Sequence, residues 1–284
     1  MATHTHDIGG DMTVARLGFG AGRVTGTGYW GPPADTAVAE HVLRRAVDRG
    51  VTLIDTADNY GPNISEELIA RALYPYPDDL VVTTKGGVVR TGPDQWHYAG
   101  RPTDIRSACD ASLKRLRLDC IPLYQLHRID PAVPVDDQIG TLVDLQSEGK
   151  IRHIGLDTVT AEELTQILMM CDVASVQNHF NIHHRADTEV LRICEERIIA
   201  FLPYLPLAGG NLTNEVNTDL TRVAANHNAT PGQLALAWLL HHSPVTVPTP
   251  GTGSLAHLDE NLVAATIELS DSEMILLDAL GEPA

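Results

Sequence analysis

An α/β fold of the (β/α)8 TIM-barrel class is predicted by three features of this 284-residue sequence. Apolar runs of strand length alternate with amphipathic helical stretches along the whole chain, and eight such runs can be counted. The runs are too apolar for half-exposed strands, as expected of a parallel sheet covered by helices. No Ser/Gly-rich linker or compositional shift divides them, so residues 1–284 read as one domain. A doubly wound open sheet usually has about five or six strands, whereas eight suit a closed barrel.

Residues 5–14, THDIGGDMTV, read as a hairpin turning at Gly9–Gly10 and placed to close the barrel's bottom. The strand candidates are residues 16–20, 51–55, 80–84, 123–126, 151–155, 174–177, 199–203 and 245–247. Helical patterns between them include AVAEHVLRRAVDRG, SEELIARALY, DIRSACDASLKRLRL, VDDQIGTLVDLQSEG and TAEELTQILMMC. Thr160 stands before Glu162 and Glu163 as an N-cap, and Gly50 and Gly149 follow a last helical turn. Helices expected at residues 217–228 and in ATPGQLALAWLLHH and SDSEMILLDAL exceed a minimal barrel.

The formal charge of −17, from 20 basic and 37 acidic residues, argues against nucleic acid as a partner, since phosphate backbones require basic patches. A phosphate-bearing cofactor must find its donors locally. No uncharged apolar run is long enough to span a membrane, and the first residues have neither the basic nor the apolar region of a secretory signal. A cytoplasmic location is therefore expected. Cys109, Cys120, Cys171 and Cys194 are scattered without C-x-x-C pairing, the pattern of reduced, mostly buried thiols.

In such a barrel the polar residues at C-terminal strand ends converge on one mouth. Asp55 ends the second strand, Lys85 follows the third, His127 the fourth, Gln177 and Asn178 end the sixth, and Tyr204 the seventh. Reducing a carbonyl by hydride requires a proton donor for the developing alkoxide. Tyr60 can donate if a nearby ammonium, Lys85, lowers its pKa, with Asp55 orienting that lysine and His127 donating to the carbonyl oxygen. Taken singly, each has a plainer role: a turn-capping Asp, a loop Tyr, a solvent or phosphate-binding Lys, a buried His. It is the combination of the four residues at three strand ends that points to catalysis.

These residues lie in segments that resemble the aldo-keto reductases, (β/α)8 barrels that use NADP(H) or NAD(H) without a Rossmann domain. The segments are LGFGAG, GVTLIDTADNYG, VVTTKGG, LYQLHRID, IRHIGL, VQNHFN, PYLPL and PGTGSLAHLDENL, from about residue 14 to 280. The resemblance implies Tyr60 as general acid/base, Asp55 and Lys85 as its tuners, and His127 as the group that positions the carbonyl. It implies Gln177, Asn178 and Asp157 at the nicotinamide carboxamide, and Tyr204 stacked on the ring. Gly22, Arg23, Pro206 and Leu207 fall towards the pyrophosphate, and Gly251, Thr252, Ser254, His257, Glu260 and Asn261 at the adenosine phosphate and adenine. The PGT…HLxEN form of the last loop favours NADP(H), with NAD(H) the alternative.

This chain departs from the family in places. Gly251 and His257 stand where many members have Lys and Arg, Phe180 replaces a frequent Tyr, and Asp157 replaces the usual Ser, either accepting from the carboxamide or turning away. GFGAGRVTG fails the G-x-G-x-x-G pattern, and His179, His183 and His184 lack a carboxylate at metal-site spacing, so no metal is expected. Within the family, YWGPP, NYGPN, ALYPYPDDLVVTTK and VQNHFNIHHRAD resemble bacterial pyridoxal reductase-like members, implying a small-molecule carbonyl substrate such as an aryl aldehyde. Trp30, Trp96 and Tyr98 are candidate pocket walls. Reduction of a ketone on a larger secondary-metabolite scaffold, or a nicotinamide-binding regulatory subunit with little turnover, are the alternatives.

Overall fold

The computed structural model describes residues 4–210, 212 and 218–281. Strands β1 (Thr5–Ile8) and β2 (Met12–Ala15) pair antiparallel across Gly9 and Gly10, whose φ values of 64° and 80° favour glycine. Ile8, Met12 and Val14 are buried against Leu53, Val81, Leu123, Ala174, Ala200, Leu202 and Val247, at early positions of the barrel strands. The expected hairpin therefore plugs the barrel's N-terminal end with its apolar face.

The barrel strands follow as β3 (Phe19–Gly20), β4 (Leu53–Asp55) and β5 (Val81–Gly86). An unexpected antiparallel hairpin, β6 (Val88–Gly92) and β7 (Gln95–Tyr98), comes next. Then β8 (Ile121–Leu126), β9 (Ile151–Asp157), β10 (Ser175–Gln177) and β11 (Ala200–Phe201) complete a seven-stranded parallel sheet. The strand expected at residues 245–247 is corrected to a bridging segment that pairs at Thr246 with Phe201. Phe201 N donates to Val245 O at 2.9 Å and Val247 N to Phe201 O at 2.8 Å. On the other side Gly18 N donates to Pro248 O at 2.9 Å and Gly20 N to Pro250 O at 3.3 Å. Both prolines accept but have no N–H to return, so the barrel closes without a regular eighth ladder.

Other strand limits move too. The first expected strand shortens to Phe19–Gly20, while those at β5 and β9 extend to Gly86 and Asp157. The seventh shortens to Ala200–Phe201, so Tyr204 lies beyond its end.

The helices are α1 (Thr36–Asp48), α2 (Ile64–Leu73), α3 (Pro102–Leu116), α4 (Val135–Ser147), α5 (Ala161–Ile167), α6 (Thr188–Arg197), α7 (Thr218–Asn226), α8 (Pro231–His242), α9 (Leu255–Val263) and α10 (Asp271–Asp278). Asn217, the first residue of an expected helix, lies outside the described residues. Thr160 and Glu163 form a reciprocal capping box at α5, as do Thr230 and Gln233 at α8 and Ser270 and Glu273 at α10. Buried Trp238 donates its Nε1–H to Asp278 Oδ1 at 2.9 Å, which fixes α10 against α8. Cys109 and Cys194 are buried, Cys120 and Cys171 half-buried, and all are free thiols.

One buried cation helps to close the barrel. Arg16 donates Nη2 to Ser243 O at 2.6 Å and to Thr246 O at 3.1 Å, tying the start of the barrel to its last segment. Replacing Arg16 with Met leaves those carbonyls without their donor. The expected loss is about 3 kcal/mol in urea unfolding; a change below ~0.5 kcal/mol would show that the staple is dispensable.

Candidate active site

The C-terminal ends of the strands open into a cavity of about 1230 Å³. Asp55, the last residue of β4, and Lys85, near the end of β5, sit in adjacent strands with Asp55 opposite Thr83. The Lys85 ammonium donates to Asp55 Oδ1 and Oδ2, both at 2.7 Å, and to Thr56 O at 2.9 Å. Its three N–H groups thus meet three acceptors. Lys85 is fully buried, so the ion pair exists in a site where either charge alone would be strongly disfavoured. Gln125 Nε2 adds a hydrogen bond to Asp55 Oδ1 at 3.0 Å and Gln177 Nε2 one to Oδ2 at 3.2 Å. The carboxylate is held by three side chains through four hydrogen bonds.

Tyr60 lies in the turn after β4, with its ring centroid 5.6 Å from Lys85 Nζ and 6.0 Å from the edge-on ring of His127. Burial pushes the Tyr60 phenol well above its ordinary range, reinforced by the charges of Asp55 and Asp157 and opposed by Arg128. This corrects the expectation that the lysine depresses it. Lys85 directs its donors to Asp55 and Thr56, so its charge is largely offset before it reaches the phenol. Tyr60 therefore stays protonated and can act as a proton donor.

His127 follows β8 and is almost fully enclosed. Burial holds its imidazole well below the usual histidine range, helped by the positive charges of Lys85 and Arg128, so the ring is neutral. Asn59 Nδ2 lies 3.0 Å from His127 Nδ1 and 3.0 Å from Val88 O. An amide nitrogen only donates, so His127 Nδ1 must accept and Nε2 must carry the proton. The residue is thereby set as a hydrogen-bond donor from Nε2. Asn59 and Gln125 were not among the expected site residues. Asn59 sits beside Tyr60 in the same turn, and Gln125 two residues before His127 is the one polar side chain in the interior of an apolar strand.

The expected cofactor residues mostly share this cavity. Gly22, Arg23, Asp157, Gln177, Tyr204, Pro206, Leu207, Gly251, Thr252, Ser254, His257, Glu260 and Asn261 line it, as do Trp96 and Tyr98. Lys85, bonded to Asp55, is not on its wall, and neither are two of the expected cofactor and substrate residues. Asn178 donates Nδ2 to Val159 O at 2.7 Å and accepts Val159 N at 3.1 Å on Oδ1, which ties both ends of its amide to backbone. Trp30 stands behind the wall, and its neighbour Tyr29 takes the lining position.

Asp157 turns to Arg128, whose Nη1 donates to its Oδ1, and Thr158 Oγ1 donates to the same oxygen at 2.8 Å. Its pKa is pushed up to about 6 by burial, against the pull of Arg128. His179 stacks on His184 at 3.9 Å and on Tyr204 at 5.2 Å, so this histidine run supports the Tyr204 ring. Among the described residues no helix is long and apolar enough to cross a membrane.

The site thus sets a buried Asp–Lys pair beside a protonated tyrosine and a donor histidine at the barrel mouth. The aldo/keto reductase family model matches residues 16–282. The chain belongs to the aldo/keto reductase family, whose members are oxidoreductases. An uncharacterized oxidoreductase of Schizosaccharomyces pombe is 45% identical over 273 residues, covering 96% of this chain and 89% of its own. Pyridoxine 4-dehydrogenase of Escherichia coli is 38% identical over 286 residues, 99% of each chain. An aldo-keto reductase from Klebsiella pneumoniae, solved in complex with NADPH, superposes with a TM-score of 0.84 at 27% identity, over 99% of this chain and 95% of its own.

The Asp55–Lys85 pair carries a stability prediction. Lys85→Met leaves the Asp55 carboxylate buried without its cation and is expected to cost about 3–5 kcal/mol. Adding Asp55→Asn should restore much of that loss. Chemical denaturation of the single and double variants measures the coupling, and additive losses would mean that the two groups are not a unit.

Proposed function

We propose that this protein reduces an aldehyde or ketone to an alcohol with NADP(H), and that its substrate is a pyridoxal-like or other aryl aldehyde. The observation that carries the reading is the pair of donors at the barrel mouth: the protonated Tyr60 phenol and the His127 Nε2–H fixed by Asn59. A carbonyl oxygen placed between them can accept both bonds. Both strengthen as negative charge develops on that oxygen, which is the condition for lowering the barrier. Tyr60 then gives its proton to the alkoxide, while His127 remains neutral and holds the oxygen in place.

The cavity has the extent and lining a dinucleotide needs. Tyr204 offers a ring face, backed by His179. At the other end Thr252, Ser254 and His257 stand at the start of α9, beside Arg23. In an acidic chain, Arg23 and Arg128 are the arginines lining this cavity, so they supply its local positive charge. A helix N-terminus adds N–H donors suited to phosphate. When bound there, the cofactor supplies the hydride; the protein orients the carbonyl and handles the proton. The Klebsiella relative's NADPH complex supports the cofactor, and the pyridoxine dehydrogenase relative supports the substrate class.

The test is NADPH oxidation against pyridoxal and simple aryl aldehydes. Tyr60→Phe should lower kcat by about 10²–10⁴-fold with an unchanged NADPH dissociation constant, since only proton donation is lost. Retained turnover in that variant would refute the assignment. NADPH should bind more tightly than NADH, and Arg23→Met should weaken NADPH by about tenfold, the worth of one charge-assisted contact. Equal affinity for the two cofactors would refute the preference.

A further inference from the structure

One guanidinium joins the first βα loop to the β6–β7 hairpin at the barrel mouth. Arg90, in β6, is buried and donates Nη1 to Tyr29 O at 2.5 Å and Nη2 to Gly28 O at 3.1 Å. Its Cζ lies 4.1 Å from the centroid of the Trp96 ring and 5.2 Å from that of Trp30. The Tyr29 carbonyl also accepts from Gly61 N at 3.0 Å, and Gly31 N donates to Gly61 O at 2.9 Å. The first βα loop is thereby coupled both to the β6–β7 hairpin and to the turn that carries Tyr60. Tyr29 has a φ of 59°, in the left-handed region, directly after Gly28 at 67°. A non-glycine residue holds that conformation only when its surroundings over-determine it, and the two Arg90 hydrogen bonds to this turn do so.

This clamp sets two aromatic rings beside the two donors. The Tyr29 ring lies 5.5 Å from the Tyr60 ring, and the Trp96 ring 6.3 Å from the His127 ring. Both line the cavity, and Trp96 is 43% exposed although it is apolar and held firmly on one face by Arg90. The substituent of a carbonyl held by Tyr60 and His127 therefore lies beside aromatic faces.

We propose that Arg90 is a positioning residue that fixes Tyr29 and Trp96 as the walls of a substrate slot, making the enzyme selective for carbonyl compounds with a flat aromatic or heteroaromatic substituent. The proposal rests on the reductase reading above and deepens it. Aromatic pairs contribute beyond their area, so the slot favours an aryl over a straight-chain aldehyde. Without the fork of Arg90 the Tyr29 turn relaxes and Trp96 loses its cation partner. Lysine keeps the charge against the indole but cannot reach both carbonyls.

The test compares kcat/KM for benzaldehyde and propanal in wild type, Arg90→Met and Arg90→Lys. The aryl-to-alkyl ratio should fall roughly five- to tenfold in Arg90→Met, through KM for the aryl substrate, with partial recovery in Arg90→Lys. A parallel arm measures benzamide and propionamide binding calorimetrically in the presence of NADP⁺, and the same ratio should fall in dissociation constants. If the wild type turns over no aldehyde, the reductase reading fails, while the amide arm still decides the slot. An unchanged aryl-to-alkyl ratio in an Arg90→Met protein of native circular dichroism overturns the proposal. Should Arg90→Met not fold, Trp96→Leu must lower the ratio; an unchanged ratio there overturns it equally.

Discussion

The buried ion pair between Asp55 and Lys85 is the constraint around which the mouth of the barrel is organised. A lysine with no solvent exposure must find acceptors for all its N–H groups, and the end of the neighbouring strand β4 provides them within 2.9 Å. The same carboxylate then collects Gln125 and Gln177 from the fourth and sixth barrel strands. One anion on β4 therefore fixes side chains on three other strands, and the phenol of Tyr60 and the imidazole of His127 are placed against that frame. The pair also explains why the lysine does not ionise the tyrosine, because its charge is met by Asp55 while burial and the nearby carboxylates outweigh the opposing charge of Arg128 at the phenol.

The two donors are set by different means. Tyr60 keeps its proton because a phenolate is costly where burial withdraws water and the carboxylates of Asp55 and Asp157 stand close. His127 stays neutral because burial disfavours an imidazolium, and the positive charges of Lys85 and Arg128 add to that. Asn59 then decides which nitrogen carries the hydrogen. An enclosed, pre-oriented donor pair of this kind needs little reorganisation when charge develops on a substrate oxygen.

Much of this was legible in the sequence because barrel geometry turns strand ends into neighbours. Asp55, Lys85, His127 and Gln177 could be placed at one mouth from the alternation of apolar runs alone. The Gly9–Gly10 hairpin was legible for a local reason, a turn that favours positive φ. What escaped depends on contacts between distant segments. The closing segment was expected as a strand at residues 245–247, but its isolated bonds with Arg16, Gly18, Gly20 and Phe201, and the N–H groups its prolines lack, could not be read from the pattern. The β6–β7 hairpin was hidden because β7 is exposed throughout and β6 is short and only alternately buried, with Gly92–Pro93–Asp94 as the turn signal. Asn178 matched the family pattern by position, yet its amide is committed to Val159, and Asp157 answers to Arg128. Neither partnership can be read from spacing.

The protonation state of Tyr60 is the centre of this account, and the pH profile of kcat/KM for NADPH-dependent aldehyde reduction measures it most directly. A phenol held above its ordinary pKa remains a competent acid throughout the neutral and mildly alkaline range, so the profile should be flat from neutrality to about pH 10 and fall only beyond. A profile in which activity is lost between about pH 7 and 9 through deprotonation of a group that Tyr60→Phe abolishes would contradict it.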